Sequence, residues 1–215
     1  MATFTVGGHA LTLLPEKAAF LDDFRTLLVA DAHIGKAVSF RSFGVPVPRG
    51  TTSENLALLT RLVERTGAVR IVFLGDFLHS KRSHAASTMD AVAQWRRQHE
   101  GLALTLVRGN HDDHAGDPPA SLGFSVVDEP LVVGGLALCH HPVAHDGLYS
   151  LAGHLHPCVR LGGRAFDSLR LPCFHFAERV GVLPAFGSFT GMHPIRRGEG
   201  DRIFAIADDH VAEVT

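Results

Sequence analysis

Cysteine is scarce in this 215-residue chain: Cys139, Cys158 and Cys173 are the only three, with neither CxxC spacing nor an even count. That excludes a disulfide framework and points to a reducing, cytoplasmic compartment with small, buried, inert thiols. No apolar run approaches the roughly 20 residues of a membrane helix, and no signal-peptide charge pattern opens the sequence, so no membrane partner is expected. Positive charge is not in excess either. The 20 Lys and Arg face 22 Asp and Glu, a net charge of −2 with His neutral. Phosphate neutralisation dominates duplex affinity, so this balance argues against tight autonomous DNA binding, although bound divalent metals would add charge that the count omits. Internal repeats, low-complexity tracts and linkers are absent as well, and residues 1–215 read as one domain large enough for a proper core.

What the chain does have is histidine, 15 in all, within an ordinary globular composition of 46% apolar and 20% charged residues. Their placement is ordered. Leu27–Ala30 is an apolar run of strand length that ends in Asp31-Ala32-His33. Along an extended backbone side chains two apart point the same way, so Asp31 and His33 could face one ion. Ile71–Leu74 ends in Gly75-Asp76, Leu104–Val107 leads through Arg108 into Gly109-Asn110-His111-Asp112, Leu136–Cys139 ends in His140, and Leu151-Ala152 ends in Gly153-His154-Leu155-His156. Any one such residue is usually a surface or core group. Five strand-like runs that each deliver Asp, Asn or His at the carboxyl end are another matter, because ligands gather at those ends in open α/β sheets.

Between these runs, residues 2–6 and 11–14 around Gly7-Gly8 suggest an opening hairpin. Residues 34–50 show no period and read as a long loop over the Asp31 site. Hydroxyls at 51–53 before Glu54 suit a helix start, Leu56, Leu59, Leu62 and Val63 keep one face, and Gly67 stops it. A strand over 69–74 completes a βαβ unit. A second helix spans 87–99, and strand 102–107 follows. Beyond Asp112 the pattern turns to short strands at 125–127, 131–133, 136–139, 149–152, 168–176, 179–183, 203–206 and 211–214. A helix-bearing first half and a strand-rich second half imply two facing sheets with helices outside.

The ordered set Asp-x-His, Gly-Asp, Gly-Asn-His-Asp, His, Gly-His-x-His over residues 31 to 156 resembles the calcineurin-like metallophosphoesterase superfamily. The resemblance implies an α/β fold, a four-layer α/β/β/α sandwich with two facing mixed sheets. It also implies a metal-dependent phosphoesterase. Gly35–Arg41, Gly44–Thr52 and Leu151–Pro157 further resemble the bacterial ligase-associated branch, the PdeM or DNA damage response endonucleases, which accompany an ATP-dependent DNA ligase, a helicase and an exonuclease. From the family, one divalent ion would take Asp31, His33 and His156, the other Asn110, His140 and His154, with Asp76 bridging. Two such ions about 3.5–4 Å apart can supply a nucleophile and neutralise charge. Imidazole and oxygen donors without thiolate favour Mn, Fe or Zn, and the branch resemblance favours Mn²⁺. His111 would contact the phosphate and assist the leaving oxygen, with Asp112 accepting its other N–H. His79 in Gly-Asp-x-x-His matches nuclease members, where many phosphatases carry Asp, and so favours a diester.

His140 is taken as ligand and His141 as accessory, although many members have Gly at 141. His84, His99, His114, His145, His175, His193 and His210 are expected to be structural or solvent-facing. Lys36, Arg41, Arg49, Lys81 and Arg82 could hold flanking phosphates, Arg better than Lys because its fork is bidentate, with Arg41 and Arg49 singled out. Phe40 and Phe43 could stack on bases or pack their loop. The leading expectation is a DNA-cutting phosphodiesterase of bacterial repair. A phosphatase or diesterase of nucleotides and small esters is the first alternative, and a non-catalytic subunit of a ligase–helicase assembly the second. Whether it forms a homo-oligomer is open.

Overall fold

The computed structural model describes residues 1–48, 50–162 and 168–214. The first sheet keeps chain order: β1 (Ala2–Val6), β2 (His9–Leu14), β3 (Ala18–Leu21), β4 (Thr26–Val29), β5 (Arg70–Leu74), β6 (Ala103–Val107) and β7 (Phe124–Val127). β1 to β4 are antiparallel neighbours joined by short turns. At the first turn Gly7 and Gly8 both take positive φ, +53° and +85°, the left-handed pair that matches a two-residue hairpin to strand twist. β4 to β7 are parallel, and parallel neighbours need crossovers. These carry α1 (Lys36–Ser42), α2 (Thr51–Thr66), α3 (Ala86–Gln98) and α4 (Asn110–Ala115).

α2 stops where expected: Gly67 adopts φ 65° and its N–H returns to the Val63 carbonyl. Its start differs, because Gly50 precedes the first turn and the hydroxyls at 51–53 lie within the helix without capping it. The reading of 34–50 as loop also needs correction, since 36–42 is helical. Only Ala37 and Ser39 of α1 are buried, too small to write an apolar period, and Ser39 Oγ is held by Ser80 Oγ at 2.7 Å. α4, beginning on Asn110, and β3 were likewise not foreseen. All four β3 residues are buried, so they show no alternation.

The second sheet contains β8 (Leu131–Val133), β9 (Leu136–Leu138), β10 (Tyr149–Ala152), β11 (Pro157–Gly162), β12 (Ser168–Phe176), β13 (Val180–Val182) and β14 (His193–Pro194). Their order is β14-β11-β12-β13-β10-β9-β8; β15 (Arg202–Ala207) adds to β12 and β16 (His210–Val214) to β15. β9, β10 and β13 run parallel, and most other pairs are antiparallel. Two mixed sheets with helices therefore form the expected sandwich. Among the described residues, the α-helices all lie between β4 and β7.

Period-two side chains sort the interior into two layers. Leu27, Val29, Ile71 and Phe73 face α2 and α3, where Leu56, Leu59, Leu62, Val92 and Trp95 cover them. Leu28, Ala30, Val72 and Leu74 face the second sheet and meet Leu138, Leu151, Phe174, Phe176 and Phe204. The three cysteines are free and buried, and burial pushes the Cys139 and Cys173 thiols up to about 12. Phe174 is fully buried between the sheets. Phe174→Ala should cost about 3–5 kcal/mol in chemical denaturation. Leu169→Ala, at a position 57% exposed, should stay within about 0.5 kcal/mol of the parent.

Candidate metal centre

The residues singled out by their strand-end positions come together at one end of the sandwich. Asp31 and His33 follow β4, Asp76 follows β5, Asn110 opens α4 after β6, His140 follows β9, and His154 and His156 follow β10. His140 Nε2 lies 3.0 Å from Asn110 Oδ1, 3.0 Å from His154 Nδ1 and 3.5 Å from Asp76 Oδ1. His156 Nε2 is 3.4 Å from Asp31 Oδ1, and His33 Nε2 is 3.9 Å from Asp76 Oδ2. The first sheet supplies Asp31, His33, Asp76 and Asn110; the second supplies the other three.

The backbone reaches this arrangement differently from the extended spacing expected of Asp31 and His33. Asp31 (φ 52°), His33 (45°), Asp76 (53°), His154 (70°) and His156 (49°) are all left-handed. For non-glycine residues this costs of order 1–3 kcal/mol each and persists only where the surroundings over-determine it. Here they do. Asp31 N–H donates to the Gly75 carbonyl (3.3 Å), His33 N–H to Asp76 (2.9 Å), Ile34 N–H to Phe77 (2.7 Å), and Gly187 N–H to Asp31 (3.0 Å). His154 N–H donates to Asp31 Oδ2 at 2.9 Å. The motif glycines make room for the side chains. A Cβ on Gly75 would sit 2.1 Å from His140 Nδ1, one on Gly109 2.4 Å from Asp76 Oδ1, and one on Gly153 2.7 Å from Asp31 Oδ2.

The donor chemistry fits divalent ions. His140 Nδ1–H donates to the Leu74 carbonyl (3.1 Å) and His156 Nδ1–H to Gly191 (3.1 Å), so each turns the Nε2 lone pair inward. Burial pushes His33, His140 and His154 down, which keeps them neutral and able to ligate. Burial, with the charge of Asp31 adding and the His111 amide opposing, pushes the Asp76 carboxyl up to about 6. Asp31 is wholly buried, and among the described residues its Oδ1 has no hydrogen-bond partner. Lone pairs of carboxylate, amide oxygen and imidazole converge around buried Asp31, His33, Asp76 and His140, an arrangement that costs free energy unless a cation sits among them. Their ligand atoms fall in overlapping groups small enough for one ion each, among them Asp31-His33-His156 and Asp31-Asp76-His140.

His111 stands at the rim. Its amide donates to Asp76 Oδ1 (2.9 Å), its Nδ1–H donates to the His79 carbonyl (2.8 Å), and Nε2 lies 3.9 Å from Asp76 Oδ2. The expected pairing of Asp112 with His111 is therefore corrected. Asp112 is fully buried, and its two oxygens accept the Leu78 and Gly109 amides at 3.0 Å each. It ties together the turns that carry Asp76 and Asn110. His79 stacks on His111 at 4.9 Å, and burial, with Lys36 and His111 adding, pushes it down to about 4. Glu129 is a residue the sequence reading missed. Its Oε2 accepts the His140 and His141 amides at 2.7 and 2.9 Å, and Oε1 meets His141 Nδ1 at 2.7 Å. No periodicity or motif marks it. Arg41 is exposed on α1, donates to the Pro48 carbonyl (3.1 Å) and is not gathered at the centre; Arg49 lies outside the described residues.

Two mixed sheets with a carboxylate–imidazole cluster at their strand ends define a metal-dependent phosphoesterase, and the chain belongs to the calcineurin-like phosphoesterase family, which matches residues 24–172. More particularly, it is similar to the solved structure of nuclease MPE from Pseudomonas putida, with 42% sequence identity, 99% of each chain covered and a TM-score of 0.87. Yfce, a phosphoesterase from E. coli, aligns over 88% of this chain and 97% of its own at 16% identity and a TM-score of 0.42. No curated protein sequence matches the chain. Gly109→Ala should displace Asp76 and depress metal content after Mn²⁺ loading and desalting, with the circular dichroism spectrum retained. Parental metal content in that variant would show that the close approach of Gly109 to Asp76 does not shape the site.

Proposed function

We propose that the protein is a DNA-cutting phosphodiesterase that works with two divalent ions, manganese first among the candidates. The observation that carries the reading is the 42% identity to a nuclease over 99% of both chains. Asp31, His33 and His156 would hold one ion, Asn110, His140 and His154 the other, and Asp76 would bridge them. The ions would supply charge neutralisation and a water of lowered pKa. The remaining work falls to the chain. His111, oriented by the His79 carbonyl at Nδ1–H, presents Nε2 to the phosphate and, in its doubly protonated form, hands the Nε2 proton to the leaving oxygen. His79, held neutral by burial, stacks behind it without adding negative charge where an anionic diester approaches. Asn110 likewise offers a neutral oxygen. Arg41, exposed on α1 outside the cluster, would meet a flanking phosphate of a longer substrate. Segments 35–41, 44–52 and 151–157 resemble the ligase-associated branch, which supports a role in bacterial DNA repair beside a ligase, a helicase and an exonuclease.

The test is an assay panel with Mn²⁺ on plasmid DNA, a bis-aryl diester and an aryl monoester, with metal content measured in parallel. DNA and diester should be cut, the monoester much less, with metal approaching two equivalents per chain. Preference for the monoester would overturn the diester reading, and one tight equivalent would overturn the two-ion centre. His111→Ala should keep metal and lose about 10²–10⁴-fold in DNA cleavage. The loss should be smaller on the aryl diester, whose leaving group needs little protonation.

A further inference from the structure

A cavity of about 680 Å³ adjoins the metal centre on the side of His79 and His111. Its other walls are the carboxyl end of α1, with Ser39 and Phe43, and the one-turn helix Lys81–His84 with Ser80 before it. Phe43 is 67% exposed and belongs to none of the hydrophobic clusters. A single exposed apolar residue is ordinary. This one carries the Arg82 guanidinium over its ring at 4.5 Å and shares the cavity with the His79 and His111 imidazoles. Among the described residues, Lys81 and Arg82 enter no ion pair, while five other arginine–carboxylate contacts are made. Lys81, Arg82 stacked on Phe43, and the exposed Phe43 ring line one wall.

Given the nuclease reading above, we propose that this cavity is a nucleotide subsite. The Phe43–Arg82 pair stacks on the base of the nucleotide next to the scissile phosphate, and Lys81 neutralises the phosphate beyond it. His111 itself lines this space, so a nucleotide esterified to a phosphate at His111 Nε2 would have it within reach. Stacking on an aromatic ring and a guanidinium reads the π-face that every base shares, so the subsite tolerates sequence while demanding a nucleoside. A small diester with no base leaves it empty.

The probe is a set of esters with one leaving group: thymidine 3′- and 5′-(p-nitrophenyl) phosphates and methyl p-nitrophenyl phosphate, each assayed with Mn²⁺. The parent enzyme should favour at least one thymidine ester in kcat/KM, and Phe43→Ala should cut that preference about tenfold, the size of one base–aromatic stack. Phe43→Trp should restore it. An equal rate on methyl and both thymidine esters, or a preference that survives Phe43→Ala, overturns the subsite. Plasmid DNA separates the two claims. If plasmid is not cut while the thymidine preference depends on Phe43, the subsite stands and the nuclease reading falls. If plasmid is cut without thymidine preference, the subsite falls and the nuclease reading stands.

Discussion

Seven groups that donate electron pairs are crowded together at one end of two sheets, four of them buried, and most of the surrounding structure answers to that. Carboxylates and neutral imidazoles do not attract one another without a cation or a shared proton. Left alone, the chain would relax toward solvated carboxylates and separated rings. Left-handed backbone at five of these residues is the visible strain, and amide hydrogen bonds running between loops hold it in place. The close-packed glycines of the Gly-Asp, Gly-Asn and Gly-His steps belong to the same constraint, since a Cβ there would collide with the side chain of His140, Asp76 or Asp31.

The centre straddles the seam of the sandwich, so its dimensions depend on how the sheets pack. Leu28, Val72 and Leu74 behind one half meet Leu138, Leu151 and Phe174 behind the other. Interiors packed at crystal-like density slide little, so the distance between Asp76 and His140 is set by layers of side chains that never touch substrate. Asp112 and Glu129 complete the support from polar atoms. One joins the turn after β5 to the turn after β6, and the other holds the two amides at the end of β9.

On the open side, the proposed function would have ligation give way to contact with substrate. His79 and His111 are stacked, and burial keeps His79 unprotonated in the ordinary range. Beyond them lie Phe43, Lys81 and Arg82, on segments that contribute little to either core. That division of labour is common: rigid strand ends carry the chemistry, and loops beside them decide what is presented to it.

The sequence by itself determined the strands that carry the centre and the chemical type of the donors. Apolar runs such as Ile71–Leu74 stop at a carboxylate or imidazole, and neither burial nor periodicity needs tertiary information to be read there. The βαβ crossover through Leu56, Leu59 and Leu62, and its stop at Gly67, were legible for the same local reason. What only the tertiary structure decided came from hydrogen bonds between residues far apart in the chain. Asp112 follows His111 directly yet spends both oxygens on backbone amides, one of them 34 residues away at Leu78. Glu129 carries no motif and reaches its partners because β8 and β9 pair. The helix over 36–42 writes no period because its buried residues are Ala37 and Ser39. Left-handed backbone at Asp31 and His33 could not be read from residue type, because Asp and His tolerate it better than most residues yet seldom adopt it; the Gly75 and Asp76 carbonyls on the neighbouring turn hold it there.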